Sequence, residues 1–195
     1  MIEWSSSPES RIQALEEENR RLRREVEFLR GHPTIARGLR GESLVATLAS
    51  ARFSRSGSGH DLELRGAELL IEVKYSSLLR VVDDRALRRW AWTKLFGELG
   101  NKRYDRLLLV GDADPRFAGH YADPTSPYVF FDLPYDAVVA MAGGIKRGRA
   151  GVIHLTSNPT SVRSARARAL FCRFQVSADE VTYRYGLVTP SETRL

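Results

Sequence analysis

One cysteine, Cys172, is all that 195 residues contain, so the chain has no intramolecular disulfide and no cysteine cluster for zinc or iron–sulfur binding. That usage suits a reducing compartment. No apolar run approaches the ~20 residues that a spanning helix needs, and the opening MIEWSSSPES lacks the charged-then-apolar order of a secretory signal. The expectation is a cytoplasmic protein with no membrane partner. There is no Walker loop, no glycine-rich dinucleotide fingerprint and no nucleophile-elbow serine, which argues against ATP-driven and serine-triad chemistry. His32, His120 and His154 have no partners at metal-ligand spacing. What is present is ordinary globular composition, 43% hydrophobic, in a length that fits one domain plus an appendage. Lys and Arg total 30 against 24 acidic residues, a formal charge of +6. That balance favours a polyanionic partner such as nucleic acid, although solubility alone would also explain it.

Between residues 11 and 30 the apolar positions step by three and four: Ile12, Leu15, Leu22, Val26 and Leu29, with Asn19 out of character. This is a heptad seam. With Ile12, Asn19 and Val26 at a and Leu15, Leu22 and Leu29 at d, β-branched a and leucine d favour two parallel strands. A buried Asn at a costs stability but fixes register and oligomer state. In a parallel dimer the facing g and e positions pair Arg11 with Glu16, Glu18 with Arg23, and Glu25 with Arg30, all opposite in sign. The expectation is a homodimer through residues 11–30; the competing readings are a lone solvated helix whose stripe packs on its own domain, and a seam used with some other protein. Ser7 and Pro8 suit the helix start, and Gly31 and Pro33 its end. The predicted division is a coiled-coil segment over residues 1–31 and a folded domain over 32–195.

After Pro33, residues 35–51 read as a helix that carries Glu42, with Leu39, Leu44, Val45, Leu48 and Ala49 at helical spacing. Gly57 and Gly59 mark a turn, Asp61-Leu62-Glu63-Leu64 alternates as a half-buried strand, and Gly66 marks a second turn. Residues 69–75 form an apolar strand interrupted by Glu72 and Lys74, which share one face because side chains alternate. Pairing across a β-hairpin brings Asp61 beside Glu72. Two converging carboxylates beside an ammonium suit Mg²⁺, which prefers oxygen ligands and often takes only one or two protein carboxylates. The competing reading is a surface ion pair on an edge strand. Against it, the run Leu69-Leu70-Ile71-Glu72-Val73 is too apolar for an exposed strand, and a charge inside it is costly unless a site uses it.

These residues resemble the PD-(D/E)XK nuclease superfamily of restriction, repair and recombination enzymes. Asp61 matches the first acid and Glu72-Val73-Lys74 the second acid, variable residue and lysine; His60 stands where the motif's name has proline. The resemblance implies that Asp61 and Glu72 bind Mg²⁺, that the Val73 carbonyl can join them, and that Glu42 contributes from its helix. It also implies an α/β fold with a restriction-endonuclease-like core: a mixed central sheet flanked by helices, here preceded by the coiled-coil helix. The family order of helix, three-stranded meander, helix and strand predicts the second helix at residues 85–99, on Leu87, Trp90, Ala91, Lys94 and Leu95, and the next buried strand at 106–111.

Further on, residues 112–127 are rich in Asp, Pro and Gly and read as a long loop. Strands are expected at 128–132 and 151–155, extending the sheet, with a helix at 135–141 and a terminal hairpin at 176–188. Two basic clusters, Lys146, Arg147 and Arg149, and Arg163, Arg166 and Arg168, are candidates for contact with double-stranded DNA. The expected function is Mg²⁺-dependent hydrolysis of DNA phosphodiester bonds by a homodimeric type II restriction endonuclease. The alternatives are a repair or recombination nuclease of junction-resolvase type, and a non-catalytic DNA-binding protein with a degenerate nuclease fold.

Overall fold

The computed structural model describes residues 8–31, 33–54, 59–64, 68–81, 84–142 and 150–186. Ser7, Gly57, Gly66, Lys146, Arg147 and Arg149 lie outside them. The chain divides into two compact units, Met1–Arg37 and Gly38–Leu195. The first unit is built on α1 (Pro8–Gly31), with Pro at its first position. The seam residues Ile12, Leu15, Leu22 and Val26 are 57%, 63%, 46% and 44% exposed, so among the described residues this apolar stripe is left largely uncovered. Helix α2 (Pro33–Leu48) runs into the second unit.

In the second unit β1 (Arg52–Phe53), β2 (Leu62–Glu63) and β3 (Leu70–Ser76) form an antiparallel meander, as the alternation at residues 61–64 and the apolar run at 69–75 predict. Next come β4 (Leu79–Val81), β5 (Asp84–Thr93), β6 (Arg106–Asp112), β7 (Tyr128–Pro134), α3 (Tyr135–Met141) and β8 (Val152–Thr156). The chain continues through α4 (Ala165–Ala169), a π-helical turn (Leu170–Phe174), β9 (Gln175–Val176) and α5 (Ala178–Tyr185). The main sheet has six strands in the order β1-β2-β3-β6-β7-β9, with β3 and β6 parallel and the other pairs antiparallel. A second, antiparallel sheet has the order β4-β5-β8. The architecture is mixed α/β.

Strand alternation sorts the core into two layers. Leu107 and Leu109 of β6 and Val129, Phe131 and Leu133 of β7 pack with Trp90, Trp92, Ile153 and Leu155 of the smaller sheet. Leu108, Val110 and Phe130 take the opposite face, with Val45 and Ala46 of α2 and Val181 of α5. Gly41 is where α2 meets the sheet: a Cβ there would lie 2.6 Å from the Cβ of Tyr75. Only glycine admits so close an approach, and it brings the next residue, Glu42, down toward β3.

Three expectations fail here. The second helix at residues 85–99 is instead the long strand β5. Helical spacing is present, but so is a period of two, in which Trp90 and Trp92 are buried and Arg89 and Thr93 are exposed. The two indoles stack at 5.7 Å, and their N–H groups donate to Asp112 O and Val110 O of β6 at 2.9 and 2.8 Å. Pairing with β4 and β8 on both edges, together with two satisfied buried tryptophans, outweighs local helix propensity. The strand at residues 151–155 is present as β8 but extends the smaller sheet, not the main one, because its partner is β5. The hairpin at 176–188 is also overturned. Ser177 and Glu180 form a reciprocal capping box that starts α5, and Val176 at the end of β9 and Val181 on α5 are both buried in the core. Within 112–127, Pro115–His120 is a short 3-10 helix capped by Asp114. No helix among the described residues is long and apolar enough to cross a membrane.

Candidate active site

Strand β2 leaves β3 early, and that departure makes the site. Its ladder ends at Leu62 with Ile71, after which Asp61 N donates to Ile71 O at 3.0 Å. One pair further along, where a backbone carbonyl would continue the ladder, the Asp61 carboxylate accepts from Val73 N at 2.9 Å. A buried strand N–H needs an acceptor, and here a side chain supplies it. Asp61 is thereby fixed beside the open edge of β3.

Glu72 lies on β3 between Ile71 and Val73, both of which face the α2 layer. Its own side chain is turned the other way and is 0% exposed. Lys74, on the same face, donates to Glu72 Oε1 and lies 3.9 Å from Asp61 Oδ2. The structure therefore brings Asp61, Glu72 and Lys74 together. Glu42 approaches from α2, within electrostatic range of Asp61, Lys74 and Glu72. The Val73 carbonyl accepts from Lys74 Nζ at 3.4 Å.

A fourth polar group was not anticipated. Lys102, on the loop between β5 and β6, donates to both oxygens of Glu72 at 2.6 and 2.7 Å and lies 3.4 Å from Asp61 Oδ1. It is 30 residues from Glu72 in sequence and belongs to no short motif, so only the fold could reveal it. The nearest signal is Gly97 and Gly100, which mark the loop that presents it.

Burial raises the Glu72 carboxyl above the ordinary range, with Asp61 adding to that and Lys74 and Lys102 opposing it. Glu42 is raised likewise, by burial first and then by Asp61 and Glu72. Burial works to lower Lys102, but its pairing with Glu72 and Asp61 prevails and its pKa is raised. Shifted carboxyls clustered beside ammonium groups mark a candidate functional site, and buried structural ion-pair networks shift in the same direction.

The donor set fits a hard divalent cation. Two carboxylates from adjacent strands already converge on one positive charge, the Lys102 ammonium, which bridges them as such an ion would. Among the described residues no three His, Cys, Asp or Glu side chains gather as a metal cluster. Magnesium often takes only one or two protein carboxylates and completes its shell with water and phosphate oxygens. Asp61 and Glu72, with the Val73 carbonyl adjacent, are the residues that would hold it.

The described basic candidates, Arg163, Arg166 and Arg168, are not part of this quartet. Arg163, Arg166 and Arg168 are exposed on and before α4, and Arg168 donates to Arg163 O at 3.1 Å. Of the acidic residues between 112 and 127, Asp123 is a turn former, accepting from Thr125 N and Ser126 N. Asp114 is instead fully buried, held by Arg116 and Ser157. The sequence matches no protein-family model and no curated protein.

Proposed function

We propose that this chain is a Mg²⁺-dependent endonuclease of PD-(D/E)XK type that hydrolyses DNA phosphodiester bonds, and that it acts as a homodimer in the manner of a type II restriction enzyme. The observation that carries the reading is the meeting of Asp61 and Glu72 around a shared cation, with Lys74 against both. The order of elements supports it in part: a helix carrying Glu42, a three-stranded meander with the acids and the lysine, then a strand parallel to the third, while β4 and β5 stand where the family order has a second helix.

Bound divalent metal would polarise the scissile phosphate and acidify a water. Asp61 and Glu72 would hold that ion, Asp61 being fixed by Val73 N and Glu72 by its burial on β3. Lys74, about a fifth exposed, holds its ammonium on Glu72 and near Asp61, where it would orient the attacking water or neutralise charge gathering on the phosphoryl oxygens. Glu42 supplies a further carboxylate at the rim. Exposed arginines on and before α4, together with the net positive charge, suit a polyanionic substrate.

The dimer reading rests on α1. Its exposed stripe carries Ile12, Leu15, Leu22 and Val26 at heptad spacing, with complementary charges at Arg11 and Glu16 and at Glu18 and Arg23. A second copy satisfies all of these at once, and a two-fold pair places one active site on each DNA strand.

The test is incubation of purified protein with plasmid DNA and Mg²⁺, followed by sequencing of the ends. Discrete fragments support restriction, and preference for branched or damaged substrates supports a repair or recombination role. Cleavage should vanish in Asp61→Asn and Lys74→Ala while DNA affinity is retained. Equal activity in those variants, or no cleavage by the wild-type protein on any DNA substrate, refutes the assignment and favours a DNA-binding protein with a degenerate site.

A further inference from the structure

Lys102 is held in place by a loop shaped for it. Three residues in quick succession adopt positive φ, Lys94 at 57°, Gly97 at 73° and Gly100 at 71°. This tight course lets Lys102 N donate back to Phe96 O at 2.9 Å. At Gly97 a Cβ would come within 3.1 Å of Lys102 Cγ, so the missing side chain leaves the passage through which the lysine stem runs. The stem ends with Nζ on both oxygens of Glu72 and facing Asp61. Its side chain is 23% exposed, which leaves a way out to solvent.

Chemistry limits what can share that position. The carboxylates of Asp61 and Glu72 balance the two ammonium groups in charge, and the fully buried Glu72 requires a counter-ion whenever it is ionised. A divalent cation bridging Asp61 and Glu72 would meet the Lys102 ammonium at the same oxygens, and two cations cannot both sit there. Lys74 shares Glu72 Oε1 with Lys102 but reaches only that one oxygen of Glu72 and stands farther from Asp61, at 3.9 Å against 3.4 Å.

Building on the proposed metal site, we propose that Lys102 is a resident counter-ion: its ammonium holds the divalent ion's position between Asp61 and Glu72 and swings outward when the ion enters. Lys102 is then a positioning residue that keeps the carboxylates preorganised in the metal-free protein and competes directly with metal. The competition sets how much divalent ion the protein needs.

The experiment is Mn²⁺ binding by titration calorimetry on the full-length chain without DNA. It compares wild type with Lys102→Met, Lys102→Gln, Asp61→Asn and, as a control for general charge, the exposed Lys94→Met. Removing the competing ammonium should tighten Mn²⁺ binding roughly tenfold or more, since a single hydrogen bond to a charged group is worth at least that factor. Lys102→Met and Lys102→Gln should both show it, and Lys94→Met should bind as wild type does. Equal or weaker binding in both Lys102 variants overturns the proposal. If Asp61→Asn meanwhile abolishes the wild-type binding, the metal-site reading survives that failure. No binding by any of these proteins refutes both. A wild-type crystal structure with Mn²⁺ decides the matter even if the variants fold poorly. Lys102 Nζ should have left both carboxylates, and an ammonium still bonded to Glu72 beside the ion overturns the proposal.

Discussion

Glu72→Gln separates a functional carboxylate from a structural one, because the two predict opposite signs for stability. The amide keeps the shape of the side chain and can still accept from Lys74 or Lys102. What it removes is a negative charge at a position with no solvent exposure. That charge is disfavoured in the fold, since burial raises the Glu72 carboxyl despite both lysines. A carboxyl raised above its unfolded value contributes most to stability at low pH, and that contribution is lost as pH rises through the folded pKa. At neutral pH the metal-free protein therefore carries a cost that glutamine does not. Neutral, shape-conserving replacement within a buried ion cluster ranges from no effect to a gain of a few kcal/mol, whereas stranding a buried charge loses about 3–5 kcal/mol. Here the two lysines are 21% and 23% exposed and keep Asp61 as a partner, so neither is stranded. The expected gain is about 1 kcal/mol, or roughly 2–4 °C in melting temperature for a domain of this size. The assay is thermal unfolding in EDTA at pH 7.5, repeated at lower pH, where the gap should close as Glu72 protonates. Adding Mg²⁺ at about ten times its Kd should stabilise wild type by about 1.4 kcal/mol and leave the variant unmoved. A variant that melts below wild type in EDTA would refute the reasoning, for Glu72 would then be an ordinary counter-ion holding the fold together.

Gly41→Ala should destabilise by about 1–3 kcal/mol in chemical denaturation, because its Cβ would lie 2.6 Å from that of Tyr75. As α2 shifts, Glu42 moves with it, so cleavage should fall more than DNA affinity; unchanged stability would mean that the helix yields freely. Asp114 is held down to about 2, first by its hydrogen bonds from Arg116, against burial and with help from Ser157. Its contribution, about 2 kcal/mol, is present above its ordinary value of 3.8 and is lost as pH falls toward 2. Asp114→Asn should accordingly lower stability at pH 7 and flatten acid unfolding between those limits, as read by circular dichroism. Deleting residues 1–31 should yield a monomer or a weaker dimer by sedimentation, and an unchanged dimer would place the interface in the second unit.

Much of this molecule was written locally. The 3.5-residue spacing of Ile12, Leu15, Leu22 and Val26 specifies a helix with one apolar seam, and Glu72 and Lys74, two apart on an apolar strand, share a face by the geometry of extended chain. The capping box at Ser177 and Glu180 is equally local, two residues three apart whose side chains and backbones pair to start α5. Residues 84–93 were different in kind, since their sequence satisfies both a helical and a two-residue period. The choice fell to partners far away in the chain: β4 and β8 on the edges, and the carbonyls of Val110 and Asp112 that accept from the two indoles. Lys102 likewise reaches Glu72 only because β3 and β6 lie side by side and the loop before β6 returns over the strand edge. Periodicity and short-range spacing specify which face a residue takes. Which distant groups meet at that face is decided by tertiary packing, because contacts between remote segments leave no local pattern in the chain.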